Sequence, residues 1–65
     1  MTIFINGERT EFTQTTLQDV LLALGLHERR CATMVNGEII RRAERQGTTL
    51  KDGDQVEVIS MVGGG

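Results

Sequence analysis

The chain has no proline, no tryptophan and no tyrosine, and only one cysteine, one histidine and two phenylalanines. Each scarcity closes off a class of protein. A single cysteine, Cys31, cannot form an internal disulfide, and a structural zinc site needs several Cys or His ligands. With Phe4 and Phe12 as the only aromatics, there is no platform on which bases could stack. The formal net charge of -2 is the wrong sign for the basic face of a nucleic-acid-binding module. No apolar run is long enough to span a bilayer, and Met1-Thr2-Ile3-Phe4-Ile5-Asn6 shows no basic region followed by a long apolar stretch. The expectation is a soluble cytoplasmic protein with neither nucleic-acid nor membrane partners. Its 65 residues leave room for one small domain. A chain of this size buries roughly 60% of the surface its unfolded form exposes. Without disulfides or metal it depends on its packing, or on a partner.

What the chain does have is glycine, eight residues in all. Asn6-Gly7, Asn36-Gly37 and Asp52-Gly53 are tight-turn dipeptides, because Gly, Asn and Asp accept the positive φ that hairpin turns need. Strand-like runs flank the first, Thr2-Ile3-Phe4-Ile5 and Glu8 to Phe12, and predict a hairpin. A second hairpin is predicted from Ala32-Thr33-Met34-Val35 and Glu38-Ile39-Ile40 around Asn36-Gly37. Between them the period changes to that of a helix. Leu17, Val20, Leu21 and Leu24 fall at i, i+3, i+4 and i+7, which predicts a helix over about residues 16–24. Thr15 with Gln18, or Thr16 with Asp19, can cap its start, and Gly25 offers a left-handed stop. Residues 41–50 are charged and undecided. Gln55-Val56-Glu57-Val58-Ile59-Ser60-Met61 reads as a last strand.

This order predicts an α+β domain, with a mixed sheet of four to five strands and one helix packed on one face. Alternation then assigns Ile3, Ile5, Val35, Ile40, Val56 and Val58 to the helix side, with Leu50 joining them. The opposite face carries Phe4, Met34, Ile59 and Met61. That is more apolar surface than a solvated face needs, and it marks a candidate partner-docking surface. The bland alternative is that the 41–50 segment covers some of these residues, or that they are isolated surface apolars.

The chain as given closes on Met61-Val62-Gly63-Gly64-Gly65 directly after the last strand. A P-loop is excluded, since it needs a lysine and a following helix. One reading is a frayed or engineered tail. The other is that the terminal carboxylate is the working group. Three residues without Cβ can thread a narrow channel and reach roughly 10 Å when extended, and no side chain crowds the carboxylate of Gly65.

Val35-Asn36-Gly37-Glu38-Ile39-Ile40, Asp52-Gly53-Asp54-Gln55-Val56-Glu57-Val58 and Val62-Gly63-Gly64-Gly65, together with the opening Ile3-Phe4-Ile5-Asn6-Gly7, resemble the sulfur carriers of thiamine biosynthesis, the ThiS family. The likeness covers essentially the whole chain. It implies a ubiquitin-like β-grasp domain over residues 1–62 and a flexible glycine tail over residues 63–65. It further implies that a ubiquitin-activating-like adenylyltransferase consumes ATP to adenylate the Gly65 carboxylate. A persulfide, supplied by a source such as a cysteine desulfurase, then converts it to a thiocarboxylate. That group delivers sulfur for thiazole formation on a thiazole synthase. Gly64 and Gly65 carry over from the family's terminal pair, and Gly63 is an additional glycine of the threading tail. The resemblance implies a carrier rather than an enzyme, with no bound cofactor or metal.

The remaining candidates have bland readings. Cys31 follows Arg29-Arg30, which favours a thiolate, yet no local motif surrounds it. His27 has no second histidine and no nucleophile beside it. Arg29, Arg30, Arg41, Arg42 and Arg45 form a basic patch facing an acidic partner if they converge, and otherwise a solvated face. Asp52 and Asp54 read as turn formers. Two functional alternatives stay open: the small subunit of molybdopterin synthase, which shares the fold and tail, and a β-grasp interaction module without sulfur chemistry.

Overall fold

The computed structural model describes residues 1–26 and 30–60. Both predicted hairpins form. Strands β1 (Thr2–Ile5) and β2 (Glu8–Glu11) pair through Asn6-Gly7, and β3 (Cys31–Val35) and β4 (Glu38–Ile40) through Asn36-Gly37. Each turn holds two residues at positive φ, Asn6 at 50° with Gly7 at 87°, and Asn36 at 52° with Gly37 at 84°. That is the type I′ pattern, whose twist matches the strands it joins. A Cβ at Gly7 or Gly37 would meet nothing within 4 Å, so the requirement for glycine comes from φ alone.

Helix α1 spans Leu17–Ala23, one residue shorter at each end than the periodicity predicts. Thr16 is its N-cap, with Oγ1 accepting the Asp19 N–H at 3.2 Å. At the other end the Gly25 N–H donates to the Leu22 carbonyl and the Leu26 N–H to the Leu21 carbonyl. Together these two bonds make a Schellman stop. The stop corrects the predicted stripe. Leu17, Val20 and Leu21 are fully buried, but Leu24 is 38% exposed. The chain reverses at Gly25, and Leu26 packs against the core where Leu24 was expected.

The last strand, β5 (Gln55–Ser60), takes the centre of a five-stranded sheet in the order β2-β1-β5-β3-β4. It runs parallel to β1 and antiparallel to β3. On the helix side Ile3, Val56 and Leu50 are buried as alternation predicts, and Ile5, Val35, Ile40 and Val58 pack half-buried around them. Each fully buried aliphatic side chain contributes about 1.5–3 kcal/mol relative to exposure. Among the described residues, the core is therefore one layer between α1 and a single sheet face.

The undecided segment 41–50 folds as a 3-10 turn, Arg42–Glu44, followed by a return past the helix start. There Thr49 bridges to Thr16 and the Leu17 N–H donates to the Thr48 carbonyl. The solvated-face reading fails for Arg45, which is 2% exposed. Its Nη2 donates to the Cys31 carbonyl at 2.7 Å and its Nε to Thr33 Oγ1 at 3.2 Å. The Thr33 hydroxyl in turn donates to the Ile40 carbonyl. A buried guanidinium is tolerated where such acceptors replace water.

Candidate functional site

The glycines of the candidate site, Gly63, Gly64 and Gly65, lie outside the described residues, as does Met61. The strand that leads to them is well defined. β5 is hydrogen-bonded on both sides, with β3 matching it from Cys31 opposite Ser60 to Val35 opposite Val56. On the other side β1 reaches only as far as Ile5 opposite Val56. Beyond that point the Asn6 side chain takes over. Its Oδ1 accepts the Val58 N–H at 2.9 Å and its Nδ2 donates to the Val58 carbonyl at 3.1 Å. The amide thus stands in for the next strand residue, just before the chain leaves the sheet.

The start of β5 is held in a related way. The Asn36 N–H donates to the Gln55 carbonyl at 2.7 Å, and Asn36 Oδ1 accepts the Gln55 N–H at 2.9 Å. Asn36 Nδ2 donates to Asp54 Oδ1 at 3.1 Å. Asp54, buried, also accepts the Lys51 N–H on Oδ2, while Asp52 Oδ1 accepts the Thr2 N–H. Both aspartates are therefore turn formers: both carboxylate oxygens of Asp54, and Oδ1 of Asp52, accept from backbone or amide donors.

The register places the candidate docking residues on the sheet face away from the helix. Met34 lies opposite Glu57 and Ile39, and Ala32 opposite Ile59. Ile59 is 53% and Ile39 71% exposed, whereas Phe4 and Met34 are half-buried. Phe4 pairs with Gln55 and Arg9, four residues along β5 from Ile59, or roughly 13 Å. The structure thus brings Met34 and Ile59 together, with Ala32 and Ile39, and leaves Phe4 apart. Ile39 was missed by the sequence reading, although the inward assignment of Ile40 already puts its neighbour outward. Cys31 faces the core and is buried. His27 and Arg29 lie outside the described residues.

The ThiS family matches residues 3–65. The chain is 33% identical to the sulfur carrier protein ThiS of Thermus thermophilus over 63 residues, 97% of this chain and 98% of the relative. It is also 33% identical over 66 residues to a thiazole synthase of Paramagnetospirillum magneticum, a match that takes in all of this chain and spans 20% of that relative's length. A thiazole synthase of Magnetococcus marinus matches over the same share of its length. The crystal structure of the thiamine biosynthesis protein ThiS from Geobacter metallireducens superposes over the whole of both chains, with a TM-score of 0.83 at 30% identity. The five-stranded mixed sheet with one helix is therefore the ubiquitin-like β-grasp expected from the resemblance. From end to end, in sequence and in fold, the chain belongs to the ThiS family, the sulfur carrier proteins of thiamine biosynthesis, which carry a group and do not themselves catalyse.

Proposed function

We propose that the chain carries its sulfur as a thiocarboxylate on Gly65, with Gly63 and Gly64 threading that group into the active sites of successive partners. The observation that supports this most directly is the placement of the glycine run two residues after β5, the central strand. A tail leaving an edge strand would swing with the least-supported part of the sheet. One leaving β5 starts from a strand paired to β3 as far as Ser60 and held on its other side at Val58 by the Asn6 amide, so docking of the body also aims the tail.

The chemistry follows from the weakness of a carboxylate as an electrophile. An adenylyltransferase of the ubiquitin-activating type lets the Gly65 carboxylate attack the α-phosphorus of ATP, giving an acyl adenylate and releasing pyrophosphate. The terminal sulfur of a persulfide, loaded by a cysteine desulfurase, attacks the acyl carbon and expels AMP. The resulting acyl disulfide is cleaved by a thiol, which leaves as a disulfide, and the thiocarboxylate remains. A thiazole synthase is the acceptor, as the names of the longer relatives favour. All of this takes place in the cytoplasm; among the described residues no helix is long and apolar enough to cross a membrane. The apolar patch of Ala32, Met34, Ile39 and Ile59 meets the partners, and Phe4 lies outside it.

Intact-mass spectrometry tests the reading after incubation with ATP, the adenylyltransferase, the desulfurase and cysteine. The expected result is a gain equal to one oxygen replaced by sulfur, lost when Gly65 is deleted. No gain, with the same partners active on another carrier, would leave an interaction module as the better account.

A further inference from the structure

We propose that the body of the carrier keeps amines and thiols out of reach of its own tail, so that an activated Gly65 acyl group is saved for sulfur instead of being captured by the chain that bears it. The proposal rests on the carrier reading above and adds to it the side reaction that the fold excludes.

The residue types set the chemistry. An acyl adenylate or acyl disulfide is open to any nucleophile nearby, and a tethered one competes at high effective concentration. A deprotonated lysine amine qualifies, as does a cysteine thiolate. A guanidinium does not, because it stays protonated. Of the seven lysines and arginines in the chain, all but Lys51 are arginine, and Cys31 is the single thiol.

The positions nearest the tail carry no usable nucleophile of either kind. β3 begins at Cys31 opposite Ser60, so Arg30 adjoins the end of β5. β4 ends at Ile40 opposite Thr33, so Arg41 and Arg42 follow at the same end, roughly 10 Å from Ser60. All three arginines are exposed. The five residues after Ser60 span at most ~18 Å, which puts these sites within reach of the Gly65 acyl carbon. Cys31 is as close, but it is 5% exposed and faces the core.

The amines lie at the other pole. β1 runs parallel to β5 with Ile5 opposite Val56. Met1 is four residues before Ile5 and Ser60 four after Val56, which separates them by roughly 26 Å. That exceeds the full stretch of the tail. Lys51 opens the turn before β5, where its carbonyl accepts the Asp54 N–H and its own N–H donates to Asp54 Oδ2. Asp54 is six residues back from Ser60, roughly 20 Å. β5 points away from Lys51, so a tail that doubled back would use at least about two of its residues in the reversal. About 10 Å of chain would remain. A lysine side chain adds about 6 Å, and the two together still fall short.

A lysine beside the tail would close the chain on itself. Its Nζ lone pair attacks the acyl carbon, and the bond from that carbon to the phosphate oxygen breaks. AMP leaves with the oxygen and the electron pair, and the amine proton passes to water. The product is a lactam that caps the carrier permanently.

The test uses the full chain as a C-terminal thioester of a small alkyl thiol, which needs no partner. Its fate is followed by intact mass at low protein concentration and mildly alkaline pH. The parent is expected to end as the hydrolysed acid. Arg30→Lys and Arg42→Lys are expected to give a lactam, lighter than the acid by one water, on the order of tenfold above the parent. Arg9→Lys makes the same exchange opposite Phe4, roughly 19 Å from Ser60, and is expected to behave as the parent. Matching thermal midpoints show that the variants fold. In the charging reaction with the adenylating partner, ATP, desulfurase and cysteine, Arg30→Lys is expected to lose thiocarboxylate to the same lactam. Lactam from the parent through Lys51 or Met1 overturns the proposal, as does its absence from both near-tail variants or an equal yield from Arg9→Lys. Cyclisation seen in the thioester but never during charging also overturns it, because the partner would then be shielding the acyl group. If the parent is never charged by partners active on another carrier, the carrier reading falls, while the thioester comparison still reads the geometry by itself.

Discussion

Two turns of identical sequence, Asn6-Gly7 and Asn36-Gly37, hold opposite ends of the same strand, and they hold it differently. Both asparagines sit near φ 50°, and both turn an amide back onto β5. Asn36 reaches the start of the strand and links it to Asp54, a buried carboxylate that also fastens the Lys51 backbone. Asn6 reaches Val58, near the end, through two bonds that are exposed to solvent. The energetic weights differ accordingly. Removing a partner from a buried polar group costs about 1–3 kcal/mol, because the group left behind loses water as well. An exposed bond is replaced by water and is worth about 0.5–1.5 kcal/mol at most. One device thus serves two ends: at Asn36 it holds the fold, and at Asn6 it holds the end of β5 that leads to the tail.

The largest effect should come from Asp54→Ala. It strands the Lys51 N–H and one Asn36 donor, and is expected to cost about 2–3 kcal/mol in denaturant unfolding. In a domain this small that is a drop of roughly 10 °C or more in Tm. Asn36→Gly comes next. Glycine keeps the positive φ, so the loss isolates the side chain, at about 1.5–2 kcal/mol. The two residues share a bond, so the double variant should lose less than the sum. Strict additivity, measured in a double-mutant cycle, would break the picture of a single Asn36–Asp54 clamp.

These clamps mark where the sequence could and could not be read. The hairpins were legible because Asn-Gly is a local demand of the backbone, met within four residues. The α1 stripe was legible at Leu17, Val20 and Leu21 for the same reason. It failed at Leu24 because periodicity continues a helix that a Schellman turn ends, and the turn brings Leu26 inward instead. Arg45 was misread as solvated because a charge in a polar run is ordinarily exposed. Its burial depends on the Cys31 carbonyl and the Thr33 hydroxyl, acceptors 14 and 12 residues away. The candidate site divides along the same line. The glycine run is visible in one glance at the sequence. The bond from Asn6 to Val58, 52 residues apart, appears only once β1 and β5 lie side by side.

The smallest stability effect is expected at Asn6→Gly. Glycine again keeps the turn, so the variant removes only the two exposed bonds to Val58, with a loss of about 1 kcal/mol or less. Hydrogen exchange should locate the change. The Val58 amide loses its acceptor and is expected to exchange on the order of tenfold faster, while amides at the start of β5 keep their protection. In the charging reaction the cost should appear in KM rather than kcat, because a less firmly held exit lowers the fraction of encounters in which the tail is aimed. Asn36→Gly should show the converse, a larger stability loss with KM nearly unchanged at temperatures where the protein remains folded. If the two variants gave the same Tm and the same KM, the two turns would be equivalent and the exit of the tail would owe nothing special to Asn6.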